Sequence, residues 1–198
     1  NNLILSNGNT KSAAGNVNVN GNIIISASTT FAGGSYTHTI LRNWVNNGTF
    51  TPATGTVQLT GTNNASITGT TTFNNITLNK AASTTTVTLF NSITVGTVNM
   101  TMGKMLTGTN KITINTTRTG NGLLLGTITR TPLFMMGVPY AFEGPDNTIN
   151  FSTAVGVTSI TVTVILGNIS DFPDNASINR EYNIGITATM YNATLRLH

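Results

Sequence analysis

Any chemistry in this chain has to be built from very few groups. Its 198 residues hold five carboxylates, two histidines and no cysteine. All five acids, Glu143, Asp146, Asp171, Asp174 and Glu181, lie beyond residue 142. Residues 1–142 therefore lack any side chain able to serve as a glycosidase acid or a carboxylate metal ligand. In the acidic region, Asp171-Phe172-Pro173-Asp174-Asn175 with Glu143 and Asp146 is the candidate calcium set, since hard oxygen ligands suit that ion. The same run reads as a turn, because Asp and Asn beside Pro are turn formers, and its spacing matches no defined calcium loop. His38 stands alone in the alternating segment 36–40, with no acid or Cys beside it. That context predicts a surface strand residue rather than a general base. His198 has no neighbouring constellation, and no Gly-x-Ser-x-Gly elbow occurs. The expectation is a non-enzymatic chain that needs no cofactor.

Charge excludes further classes. Nine Lys and Arg are spread along the chain with no two adjacent, so the dense basic groove of a nucleic-acid binder is missing. Scattered solubilising charges are the expected role. Seven basic side chains and no acid fall in 1–142, against two basic and five acidic in 143–198. Opposite signs at the two ends favour head-to-tail attraction between copies. No apolar run approaches the ~20 residues of a membrane-spanning helix, so no membrane insertion is expected. The chain starts Asn1-Asn2-Leu3 without Met, as expected of a processed product.

Surface modification and ligand platforms come next. Asn47, Asn64, Asn99, Asn168 and Asn175 are candidate glycosylation sites, each two residues before Ser or Thr. With 28 Asn in a chain this rich in Ser and Thr, composition alone yields nearly as many such motifs, so only surface context recommends them. Trp44, Phe50, Phe73 and Phe90 suit a sugar-stacking platform, yet aromatics at repeat-equivalent positions more often stack inside a core. Thr70-Thr71-Thr72 and Thr84-Thr85-Thr86 are runs, not an evenly repeated Thr-x-Thr. That ranks an ice-binding ladder below ordinary strand composition.

The elements that must carry these groups are strands. Apolar and polar residues alternate in Asn16–Asn20, Thr56–Thr60, Asn75–Asn79, Thr86–Leu89, Lys111–Asn115 and Ser159–Val164. A period of two with β-branched residues marks half-buried strands. Thr, 40 residues in all, suits the outer positions because its branched side chain favours extended backbone and its hydroxyl faces water. Gly and Asn at 46–48, 61–64 and 120–122 supply turns. The alternation predicts Val17, Val57, Leu59, Ile76, Leu78, Val87, Leu89, Ile112 and Ile114 inside. The fold class expected is all-β.

Two styles of β follow one another. Short, acid-free, Thr/Asn/Gly-rich strands spaced about ten residues apart over 15–131 predict a β-solenoid of stacked rungs, like a β-helix. After Thr131-Pro132 the prolines and acids arrive and the strands lengthen, predicting a β-sandwich-like module over 132–198. Residues 1–14 read as an N-terminal strand and linker.

Asn43-Trp44-Val45-Asn46-Asn47-Gly48-Thr49-Phe50-Thr51-Pro52, then Gly55–Thr62 and Thr72-Phe73-Asn74-Asn75-Ile76-Thr77-Leu78-Asn79, resemble a recurrent repeat. It is the NW-x-NNGTFTP…TFNN-x-T-x-N pattern of large secreted surface proteins of Bacteroidetes-type bacteria. Met102–Ile114 resembles the rung that follows, and Ile178–Ile184 the module after it. The resemblance spans about 15–198. It implies an extracellular or bacterial cell-surface location and a part in surface structures or adhesion.

Low charge, abundant Thr and Asn and stacked rungs suit a structural subunit of an extracellular filament or cell-surface stalk. The alternative is an adhesin or carbohydrate-binding module with glycans as partners. Copies of the same chain are the expected partner. Leu3, Ile4 and Leu5, ahead of the small polar segment 7–15, form a candidate assembly strand for donation to the next copy. At the other end, the alternation of 193–198 breaks off, and Leu195 and Leu197 mark the receiving edge. The rival reading has strand 2–6 capping its own solenoid.

Overall fold

A computed structural model describes residues 1–167 and 180–198. Every element in it is a strand, and residues up to Arg130 wind into a β-solenoid of about 6 turns, followed by a further sheet. Each rung has three sides. The first rung holds β1 (Leu3–Leu5), β2 (Asn9–Ser12) and β3 (Asn18–Val19), one strand to each side in that order; the second rung holds β4 (Ile23–Ile25), β5 (Thr29–Ala32) and β6 (Thr37–Ile40). The third holds β7 (Trp44–Asn46), β8 (Thr49–Thr51) and β9 (Thr56–Gly61). From the fourth rung the corner between the second and third sides disappears into longer strands. These are β10 (Ala65–Thr68) with β11 (Thr71–Lys80), β12 (Thr86–Leu89) with β13 (Ile93–Met102), β14 (Lys104–Thr119) and β15 (Leu123–Arg130). All pairings between rungs are parallel.

The alternation explains the interior. Ile23, Ile25, Ile40, Leu59, Ile67, Leu78, Val87, Ile112 and Ile114 are sealed from water, each contributing roughly 1.5–3 kcal/mol by burial. Of the nine residues expected inside, eight are buried and Val17 is half-buried. Trp44 packs edge-on against Phe50 at 4.7 Å and Phe73 at 5.2 Å, and Phe31 lies 5.6 Å from Phe50. These aromatics are a core ladder, whereas Phe90 is exposed.

Asn earns its abundance at corners, where a turning backbone has no strand partner for its N–H. Asn2 Oδ1 accepts from Asn22 N at 2.8 Å, Asn22 Oδ1 from Asn43 N at 3.1 Å, and Asn43 Oδ1 from Ser66 N at 2.9 Å. Asn16 does the same for Thr37, and Asn64 for Thr86.

On the third side, outward positions align into two rows. One runs Thr37, Thr56, Asn75, Thr97, Thr117, and the other Thr39, Gln58, Thr77, Asn99, Thr119.

Beyond the solenoid, β15 pairs with β14 on one side and antiparallel with β18 (Ser159–Leu166) on the other, and β18 pairs with β19 (Arg180–Thr187). A second sheet holds β16 (Pro139–Ala141), β17 (Thr148–Val155) and β20 (Met190–Arg196). Tyr140, Phe142, Ile149, Phe151, Ile160 and Val162 are buried within this C-terminal part of the core. The composition shift at 131/132 thus marks a change of strand style, while β15 belongs to solenoid and module alike.

Two expectations need correction. His38 is buried, 1% exposed, because β6 points its even positions inward and Thr37 and Thr39 outward. Lys80, Arg118 and Arg130, expected as scattered surface charges, are buried too. The candidate assembly strand Leu3–Leu5 is β1, which lies on β4 in register, Leu3 with Ile23 and Leu5 with Ile25, and its half-buried Leu3 and Leu5 extend the same apolar stack.

Candidate functional site

β20 pairs only with β17 and β19 only with β18, so both carry a free main-chain edge among the described residues. Leu195 and Leu197 are about half exposed at these edges, and Ile184 more than a third. With Phe142, Ile149, Val162 and Tyr182 they line a small apolar groove whose cavity holds only about 10 Å³. Leu195 and Leu197, the expected receiving residues, are among those that line it. An unpaired edge beside half-exposed apolar residues is a template for another extended segment.

At the far end of the molecule, β1, β2 and β3 each pair on one side only, leaving the first rung uncovered. Ile4 is 59% exposed there and forms an outward row with the half-buried Ile24 and Val45. The two open edges thus lie at the first rung and at the end of the chain's fold.

A buried carboxylate organises the ground beside the groove. Glu143 Oε2 accepts from Asn147 Nδ2 at 2.9 Å and from the Tyr182 hydroxyl, while Oε1 lies 3.1 Å from Arg180 Nε. Burial pushes the Tyr182 phenol up to about 12, and its hydrogen bond to Glu143 adds to the effect. Glu143, one of the calcium candidates, is fully enclosed and held by these three partners. Asp146 lines an adjacent polar pocket with Arg180 and His198. Among the described residues no three His, Asp or Glu gather around one point. Asp171 and Asp174 lie outside the described residues, as do the glycosylation candidates Asn168 and Asn175. Asn47 is exposed in a turn, Asn64 is exposed but accepts the Thr86 N–H, and Asn99 is half-buried on β13.

Sequence reasoning missed the arginines that hold the module in place. Arg118 donates to the carbonyls of Gly120, Gly122 and Glu143. Arg130 donates to Ala141 O at 2.6 Å and Thr116 O at 2.9 Å, and lies over the Tyr140 ring. Burial pushes both guanidinium groups down to about 10, with Arg130 adding to the effect at Arg118. Lys80 likewise turns in, donating to the carbonyls of Leu41 and Thr60, and burial lowers its pKa. The signal was their position at strand ends, where carbonyls run out of rung partners.

His38 Nε2 faces Gly33 O at 2.8 Å and its ring packs against Phe31 at 5.2 Å. It is a core residue of the second rung.

Comparison with protein-family models, curated proteins and solved structures gives no match.

Proposed function

We propose that the chain is a non-enzymatic structural subunit of an extracellular filament or cell-surface stalk, with copies of itself joined head to tail. The observation that carries this reading is the pair of open ends. An uncovered first rung with exposed Ile4 stands at one end, and the apolar groove at Leu195 and Leu197 at the other. A contact between two different surfaces does not close on itself and so propagates into a filament. The acid-free front and the acids clustered at the rear favour the same polarity. Because β1 is paired with β4, the reading takes the contact as an edge laid against a groove, with strand donation by Leu3–Leu5 as the costlier mode.

Sedimentation and negative-stain microscopy of the purified chain at rising concentration test it. Polymers that shorten or vanish in the Leu195→Lys, Leu197→Lys double variant are expected. A chain that stays monomeric at every concentration, or polymers indifferent to those changes, overturns the reading.

A further inference from the structure

We propose that the third side of the solenoid, the outward face of β6, β9, β11, β13 and the end of β14, binds ice. This inference concerns a different surface from the assembly ends and does not depend on them.

The face is a two-column mesh of hydroxyl and amide side chains. Every position of both rows is Thr, Asn or Gln, with no charge and no large apolar group among them. Neighbouring strands stand ~4.8 Å apart and alternate residues on one strand ~6.7 Å apart. A mesh of that size is close to the repeat of oxygens on a prism plane of hexagonal ice. Seven of the ten positions are Thr. Its β-branched side chain has few rotamers, so hydroxyl and methyl are held in place before a ligand arrives. Thr117 and Thr119 at the end of the face are exposed and the other eight positions half-buried, with the Asn75 amide held by the carbonyls of Thr54 and Gly55.

The other sides lack this combination. The first side presents Ile4, Ile24 and Val45 outward, and Lys104 and Leu106 further along. The second side carries a threonine row, Thr72, Thr94, Thr113 and Thr129, but its neighbouring column contains Lys111. A polysaccharide is the less suited ligand, since sugar faces call for aromatic stacking and Trp44, Phe31 and Phe73 are sealed in the core. A rigid, uncharged face of matched spacing and without aromatics suits an uncharged lattice of water.

The experiment uses the whole chain in an ice-recrystallisation assay and in thermal-hysteresis measurements on single ice crystals. The wild type is expected to arrest recrystallisation and to facet the crystals. Thr77→Lys, at the centre of the face, should lose both effects, and Thr113→Lys on the second side should keep them. Circular dichroism melts identify any variant that fails to fold, and Thr56→Tyr, also on the mesh, then takes the place of Thr77→Lys. Wild-type behaviour no different from an equal concentration of albumin overturns the proposal. So does equal loss in the folded Thr77→Lys and Thr113→Lys variants, or retention on crystalline cellulose, abolished by Thr77→Lys, without any effect on ice.

Discussion

Arg130, the last residue of β15, donates a 2.6 Å hydrogen bond to the carbonyl of Ala141, which ends β16. One side chain thereby ties the final solenoid strand to the second sheet of the C-terminal module. Its other arm reaches Thr116 O on β14. Among the described residues no carboxylate pairs with the guanidinium, and carbonyl dipoles and the Tyr140 ring offset its cost of burial. Arg130→Ala should destabilise the chain by about 2–4 kcal/mol, because the buried Ala141 carbonyl and the part-buried Thr116 carbonyl lose their donor along with the packed stem. Urea unfolding measures it. Arg130→Lys should recover little, since an ammonium lacks the planar fork that spans both carbonyls. Full recovery by Lys would show that charge alone matters.

The buried imidazole of His38 fills the second rung between Phe31 and Gly33. His38→Ala should lower stability by about 1–3 kcal/mol through the cavity and the lost hydrogen bond. A midpoint unchanged in urea would contradict its place in the core.

Tyr182 gives the module an alkaline limit. Its folded pKa is raised above the ordinary value of 10.0 to about 12, so folding favours the protonated phenol. The stabilisation is complete below the unfolded pKa and is lost as pH rises through the folded one. Between about pH 10 and 12 the wild type should therefore lose melting temperature relative to Tyr182→Phe, which lacks the titrating phenol. A steeper fall in the Phe variant would reverse the assignment.

Gly69 sits at φ +87°, and a Cβ there would come 1.8 Å from the carbonyl oxygen of Asn46 in the rung below. Both the left-handed backbone and the clash with main chain oppose any side chain. Gly69→Ala should cost at least about 2 kcal/mol, read as a lower thermal midpoint, whereas Gly108→Ala, with open space around it, should cost less.

How much of this was legible in the residues differs from one feature to the next. Alternation at Thr56–Thr60, Asn75–Asn79 and Lys111–Asn115 predicts strands and their inward faces, because side chains of an extended chain alternate sides whatever lies beside them. Three-dimensional stacking alone decided the rest. Thr37, Thr56, Asn75, Thr97 and Thr117 stand nineteen, nineteen, twenty-two and twenty residues apart. Corners of unequal length hide such a row from any fixed period, and only parallel hydrogen-bonded register brings it into line. Arg118, Arg130 and Glu143 were equally hidden. A charge is read as exposed from its type, yet these three are buried where the solenoid meets its second sheet, because the carbonyls, Tyr182 and Arg180 that satisfy them come from distant segments of the chain.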